Sequence, residues 1–178
     1  MDFLQTLLER NAAFAASGFS AELKIIPSQR TLIVGCVDPR VDPVEVLGLQ
    51  PGEAAVIRNV GGRVTPALFE TLTILGRVSQ AGGAPLGEGW HLIILHHTDC
   101  GIRGCLHHAP ALLAQYMGVA EEQLPALAIS DPHMAVAIDV AALQANPQLP
   151  AGFSVSGLVY DVATGLVETV VPASRLRP

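Results

Sequence analysis

Apolar residues recur along this chain with two different spacings. Between residues 2 and 17, Phe3, Leu4, Leu7, Leu8, Ala12 and Phe14 fall at roughly helical intervals and Ser17-Gly18 ends the pattern, which predicts a helix. Residues 31–36, TLIVGC, form a short apolar run rich in β-branched side chains, as expected of a strand buried on both faces. Pro39 and Pro43 follow at once and turn the chain out of the sheet. Residues 54–58, AAVIR, predict a second strand, and Asn59-Val60-Gly61-Gly62 breaks it into a loop. A helix is expected over 66–80, with Thr65 or Pro66 at its start, followed by a loose Gly/Pro-rich connection over 81–89. Residues 90–96, WHLIILH, read as a third strand, 99–104 as a turn and 110–117 as a helix. A further helix over 130–145 has Ser130 or Asp131 as its cap and Pro132 in its first turn. Alternation over 153–161 and 166–171, about Ala163-Thr164-Gly165, predicts a C-terminal β-hairpin.

Strands of buried type alternating with helices define an α/β fold. They predict a mostly parallel central sheet flanked by helices, with the hairpin as an antiparallel edge. The length suits one domain over residues 1–178, and no internal repeat or low-complexity tract divides it. The formal net charge is −6 without any Lys/Arg run, which argues against nucleic acid or an anionic membrane as partner. Apolar runs such as residues 92–95 are strand-sized, far below the roughly 20 residues of a spanning helix. The N-terminus is acidic at Asp2 and has no basic run of the signal-peptide kind, so the expected compartment is the cytoplasm. Three cysteines are too few for a disulfide framework and point to metal ligands, a nucleophile or small core residues.

Position makes three residues stand out. Cys36 ends the first expected strand, and His97 and Cys100 follow the third. Open α/β sheets gather ligands outside the carboxyl ends of their strands, where strand order reverses. Two thiolates and an imidazole suit zinc, and three protein ligands leave one tetrahedral position open, the mark of a catalytic site. Each cysteine alone reads as a core residue; together, at matching strand ends, they read as ligands. Asp38 and Arg40 can form a bidentate pair that keeps Asp38 ionised beside the metal, or a plain surface ion pair. Asp38 can also serve as a fourth ligand that shuts the site. The paired Gly61 and Gly62 permit close backbone approach to a ligand or simply make a turn. Asp99, between the two later ligands, is placed to fix His97 or Arg40. His96 points away from His97 on a strand and is read as non-ligating. Cys105 reads as a buried thiol, His107-His108 as a solvated pair or a proton shuttle, and His133 has no identifiable partner. Asp42 and Glu45 read as turn and helix-start residues. A Cys36 nucleophile with His97 as its base is chemically sound but leaves Cys100 and Asp38 idle.

The segments CVDPR at 36–40, VIRNVGG at 56–62 and HHTDCG at 96–101 together resemble the β-class carbonic anhydrases, in their compact bacterial and archaeal branch. The resemblance implies Zn2+ on Cys36, His97 and Cys100, with Asp38 and Arg40 as a catalytic dyad. It places Val60, Gly61, Gly62, Asp99 and Gly101 in the substrate pocket or around the ligands. The implied reaction is reversible hydration of carbon dioxide to bicarbonate and a proton by zinc-bound hydroxide. The implied assembly is a homodimer or homotetramer, with residues 1–18 as a helical arm on a neighbouring subunit. Pro39 stands where the family commonly has Ser or Ala, and Val60 where it commonly has Ala. The regulatory bicarbonate site of some members needs a tryptophan before the first cysteine; here that stretch is TLIVG, and no such site is expected. The resemblance also admits a hydrolase of carbonyl sulfide or carbon disulfide. A zinc-binding protein without turnover is a third reading, which the intact Asp38 and Arg40 oppose.

Overall fold

The computed structural model describes residues 2–177. Its centre is a five-stranded sheet in the order β2-β1-β3-β4-β5, formed by β1 (Thr31–Cys36), β2 (Ala54–Asn59), β3 (His91–His97), β4 (Ser154–Tyr160) and β5 (Val167–Arg175). The pairings β1–β2, β1–β3 and β3–β4 are parallel, and β4–β5 is antiparallel. This is the expected α/β fold with its antiparallel edge. The chain steps outward from β1 to β2 and then returns past β1 to β3. Strand order therefore reverses between β1 and β3, and their carboxyl ends border the crevice where such sheets bind ligands.

The central strands are apolar because helices cover them. Leu32, Val34, Leu92, Ile94, Phe153 and Val155 pack with Leu68 and Leu72 of α3 (Pro66–Ala81) and with Val136, Val140 and Leu143 of α6 (Pro132–Ala145). A smaller cluster around Ile102, Leu113, Met117, Leu124 and Ile129 anchors α5 (Pro110–Met117) beside the end of β3. Two single-turn helices, α2 (Pro43–Val46) and α4 (Cys105–His108), are too short to leave a periodic signature in the sequence.

Several boundaries move by a residue or more, each for a local reason. α6 begins at Pro132 because the Asp131 carboxylate accepts from the amides of His133 and Met134; Ser130 lies outside it. Trp90 stays out of β3, though it is fully buried in the core. β5 runs on past Pro172 to Arg175. Proline is tolerated there because β5 is an edge strand and its register with β4 shifts between Val155 and Gly157. The first helix, α1 (Phe3–Ser17), forms as expected but buries none of its residues. Among the described residues, no single helix is long and apolar enough to cross a membrane.

Candidate metal centre

Three residues from two strand ends meet in the crevice. Cys36 is the last residue of β1, His97 the last of β3, and Cys100 opens the turn that follows. Their donor atoms all lie within 4.8 Å of one another, the only such group of metal-binding side chains among the described residues. The sulfurs of Cys36 and Cys100 are 3.9 Å apart. Two sulfurs each about 2.3 Å from a tetrahedral ion sit about 3.8 Å apart, so this pair is spaced for zinc.

The orientation of His97 supports the same use. Its Nδ1 meets the Thr98 carbonyl at 2.8 Å, which leaves Nε2 as the free nitrogen, and that atom is buried without a hydrogen-bond partner. A buried, unpartnered ring nitrogen costs stability unless something occupies it, and an imidazole held by its other nitrogen is the usual form of a metal ligand. Thr98 is itself fixed: its amide donates to the Tyr160 carbonyl at 2.9 Å, and its hydroxyl accepts from the Val162 amide at 3.0 Å.

Cys36 accepts two backbone N–H bonds, from Asp38 at 3.4 Å and from Gly61 at 3.3 Å. Its thiol is pushed down to about 4, chiefly by the hydrogen bond from Cys100, with His97 and the two amides adding to it and burial opposing. The same contact with Cys36, reinforced by burial, pushes Cys100 up. Without metal the two sulfurs thus share one proton. Burial works against charge on His97, but the adjacent Cys36 sulfur outweighs it and raises the imidazole.

Asp38 is turned away from these donors. Its carboxylate accepts from Arg40 through the backbone amide at 2.9 Å, Nε at 3.1 Å and Nη2 at 2.7 Å. This fork holds the Asp38 carboxyl down at about 2. Arg40 is braced in turn by Asp99, through Nη1 to the carboxylate at 3.1 Å and Nη2 to the carbonyl at 3.1 Å. Of the two partners weighed for Asp99, the structure selects Arg40. Asp99 sits at φ +54°, a conformation few side-chain-bearing residues adopt, and its carboxylate also receives Arg103 at 2.8 Å.

The glycine loop closes the other side. Gly61 and Gly62 have φ of +81° and +65°. A Cβ on Gly62 would lie 3.0 Å from the Leu95 carbonyl and 3.2 Å from the Cys36 amide, so backbone packs against backbone here. The Val60 side chain is half exposed, and its carbonyl accepts from the Tyr116 hydroxyl at 2.9 Å. Gly101 follows Cys100 in open space and is under no such constraint. A cavity of about 30 Å³ adjoins the donors, lined in part by Gly61, His97 and Cys100; this is room for one or two water-sized molecules.

Arg58 has a role that motif spacing alone does not reveal. It donates from Nε to the Cys36 carbonyl and from Nη2 to the Asp38 carbonyl, both at 2.8 Å, and pairs with Asp42, which also caps α2. It thereby clamps the backbone on both sides of the Cys36 ligand loop. His96 points into the interior, 3.1 Å from Asp139. Cys105 packs against the smaller apolar cluster. His133, which lacks a partner in the sequence pattern, has one in space: Glu168 at 3.2 Å, 35 residues away.

The wider comparisons agree with this geometry. The sequence pattern of the carbonic anhydrase family matches residues 31–128. A β-carbonic anhydrase 1 of Mycobacterium tuberculosis is 34% identical over 158 residues, covering 88% of this chain and 91% of its own. The crystal structure of a carbonic anhydrase from Streptococcus mutans superposes with a TM-score of 0.73 at 33% identity, over 96% of this chain and 98% of that one. A carbon disulfide hydrolase of Saccharolobus solfataricus is 36% identical over only 81 residues, 45% of this chain and 36% of its own. The chain belongs to the β-carbonic anhydrase family, a family of zinc enzymes.

Proposed function

We propose that the protein is a carbonic anhydrase that interconverts carbon dioxide and bicarbonate, with zinc on Cys36, His97 and Cys100 and with Asp38 and Arg40 acting beside it. One observation carries this reading. Two sulfurs and an unpartnered imidazole nitrogen converge at the ends of β1 and β3, next to a carboxylate kept ionised outside the donor set.

Zinc held by such a set supplies a Lewis acid that makes water nucleophilic near neutral pH. The chain's own groups do the rest. Cys36, His97 and Cys100 would hold the ion as three protein donors and leave it open to a further ligand. Asp38, ionised and already saturated with Arg40 donors on one side, accepts a proton-bearing oxygen on the other and orients it. Arg40 keeps Asp38 from turning inward to become a fourth ligand, and Asp99 keeps Arg40 in place. The Gly61 amide withdraws charge from the Cys36 sulfur, which favours a more acidic site. The cavity of about 30 Å³ beside His97 and Cys100 has room for a molecule of a few atoms and not for a larger metabolite.

We further assign the whole chain to one domain, working in the cytoplasm as a homo-oligomer that uses α1 as its arm. Support for the arm is the exposure of Phe3, Leu4, Leu8 and Phe14 on that helix. The deciding measurement is stopped-flow CO2 hydration on purified protein, with zinc content determined on the same sample. About one zinc per chain with rapid hydration is the expected result. Zinc present with carbonyl sulfide or carbon disulfide consumed, and carbon dioxide untouched, overturns the substrate. In the same assay Asp38→Ala is expected to keep its zinc and lose about a hundred-fold in kcat. Normal turnover by that variant removes Asp38 from the mechanism.

A further inference from the structure

Three buried polar side chains lie beside the metal donors: Arg63, His96 and Asp139, each no more than 3% exposed; Arg63 and His96 also help to line the small cavity next to His97 and Cys100. Asp139 interrupts an otherwise apolar stretch of α6. Its Oδ2 accepts from Arg63 Nε at 2.8 Å and the Val64 amide at 3.1 Å, and meets His96 Nε2 at 3.1 Å. Its Oδ1 accepts from Arg63 Nη2 at 3.1 Å, and that nitrogen also donates to the Leu127 carbonyl at 3.0 Å. Burial alone would raise the Asp139 carboxyl; His96 and Arg63 outweigh it and hold the group below its ordinary range.

A buried ion pair is poorly explained by stability, because a well-packed apolar trio of the same volume often does as well or better. What charge-assisted hydrogen bonds add is direction. Here they fix two particular segments. Arg63 follows the turn at Val60–Gly62, and Asn59 clasps that turn from its other end, accepting from the Arg63 amide at 2.9 Å and donating to the Arg63 carbonyl at 2.8 Å. Inside the clasp, the Gly61 amide points at the Cys36 sulfur. His96 is the strand neighbour of His97. Side chains alternate along a strand, so anchoring His96 to α6 on one face sets how β3 presents His97 to the thiols on the other.

We propose that Arg63 and Asp139 are positioning residues of the metal centre. Granted zinc on Cys36, His97 and Cys100 as proposed above, they tie the Cys36-facing turn and the His97-bearing strand to one point on α6. In doing so they set how tightly, and in what geometry, the ion is held.

Groups that orient metal ligands typically change metal affinity by about 10–100-fold when replaced. The test compares Asp139→Asn, Arg63→Lys and Val140→Ala by zinc release to a chelator, by the absorption of the cobalt(II)-substituted protein and by thermal stability. Val140 is on the same helix, in the apolar core and outside the network. Asp139→Asn is expected to release zinc about ten-fold faster and to shift the thiolate-to-cobalt band. Arg63→Lys keeps the charge but loses the fork, so it should move both readouts the same way by less. Val140→Ala should lower stability and leave both at their wild-type values. If Asp139→Asn and Arg63→Lys also lose only stability, the network is structural and the proposal is overturned. Should Asp139→Asn fail to accumulate as folded protein, Arg63→Lys decides by the same readouts. A wild-type protein without any thiolate-to-cobalt band overturns the ligand assignment itself, a result distinct from normal bands that do not respond to the variants.

Discussion

Arg40 offers Asp38 its backbone amide, its Nε and its Nη2, and this arrangement has a pH signature. The Asp38 carboxyl sits at about 2 in the fold, below its ordinary value near 4. A depressed folded-state value means that the pair's contribution to stability is complete above about 4 and is lost as pH falls through about 2. Arg40 is half exposed, so solvent screening keeps that contribution small. In metal-free protein, the stability gap between wild type and Asp38→Asn should be constant at mildly acidic pH and narrow below about 4; urea unfolding across that range checks it, and a gap that widens on acidification refutes the pairing. Cys36→Ser should abolish most zinc binding, since it removes one of the two sulfur donors; metal analysis of purified protein that finds full zinc retention would sink the assignment. The sequence makes these residues legible because they cluster in short segments at strand ends. It hides those whose partners are remote. Asp139 is 76 residues from Arg63, and Glu168 is 35 from His133, so neither pairing leaves a local pattern. The one available signal for Asp139 was its charge inside the apolar run MAVAIDVAAL, which calls for a buried partner without naming it.

At the scale of elements, the glycine loop after β2 separates two kinds of glycine. Gly62 and Gly48 have nearly the same backbone, with φ of +65° and +64°. Around Gly48 an added Cβ meets nothing within 4 Å, whereas at Gly62 it presses on the Leu95 carbonyl and on backbone of β1. Gly48→Ala should therefore cost only the left-handed conformation, about 1 kcal/mol. Gly62→Ala should cost that and a displacement of the loop, about 3 kcal/mol or more. It should also weaken zinc retention, because the displaced loop carries the Gly61 amide away from Cys36. Denaturant midpoints and zinc content measured on both variants check the pair; equal losses would mean that the loop yields freely. The elements themselves were largely legible. β1 and α5 fall where the hydrophobic pattern puts them, because apolar runs bounded by prolines and glycines have few other solutions. The alternation read over 166–171 stops short of β5, which continues past Pro172 to Arg175. Its edge position and the register shift beside it depend on which strand lies next door, and that is a tertiary fact.

On the scale of the whole molecule, α1 is the part that this chain alone does not explain. A helix of 15 residues is marginal in water without packing, yet α1 buries no residue against the rest of the chain. Phe3, Leu4, Leu8 and Phe14 are all more than half exposed, and so are Phe19, Leu23 and Ile25 beyond the helix. So many exposed large apolar side chains in one stretch of chain point to an interface. The net charge of −6 makes an anionic membrane a poor occupant, while a second copy of the chain offers the same apolar surface in return. We therefore expect the intact protein to be a dimer or larger in light scattering. A variant lacking residues 1–18 should form smaller particles and unfold at a lower temperature. The unfolding temperature of the full-length protein should also rise with protein concentration, because association adds to the stability of the folded state by mass action. The metal centre lies at the other end of this dependence: its ligands come from β1, β3 and the turn after β3, all within one chain. The truncated form should accordingly keep its zinc while losing its partner. An unchanged particle mass per chain after truncation would refute the arm, and loss of zinc with the arm would show that the centre leans on the interface.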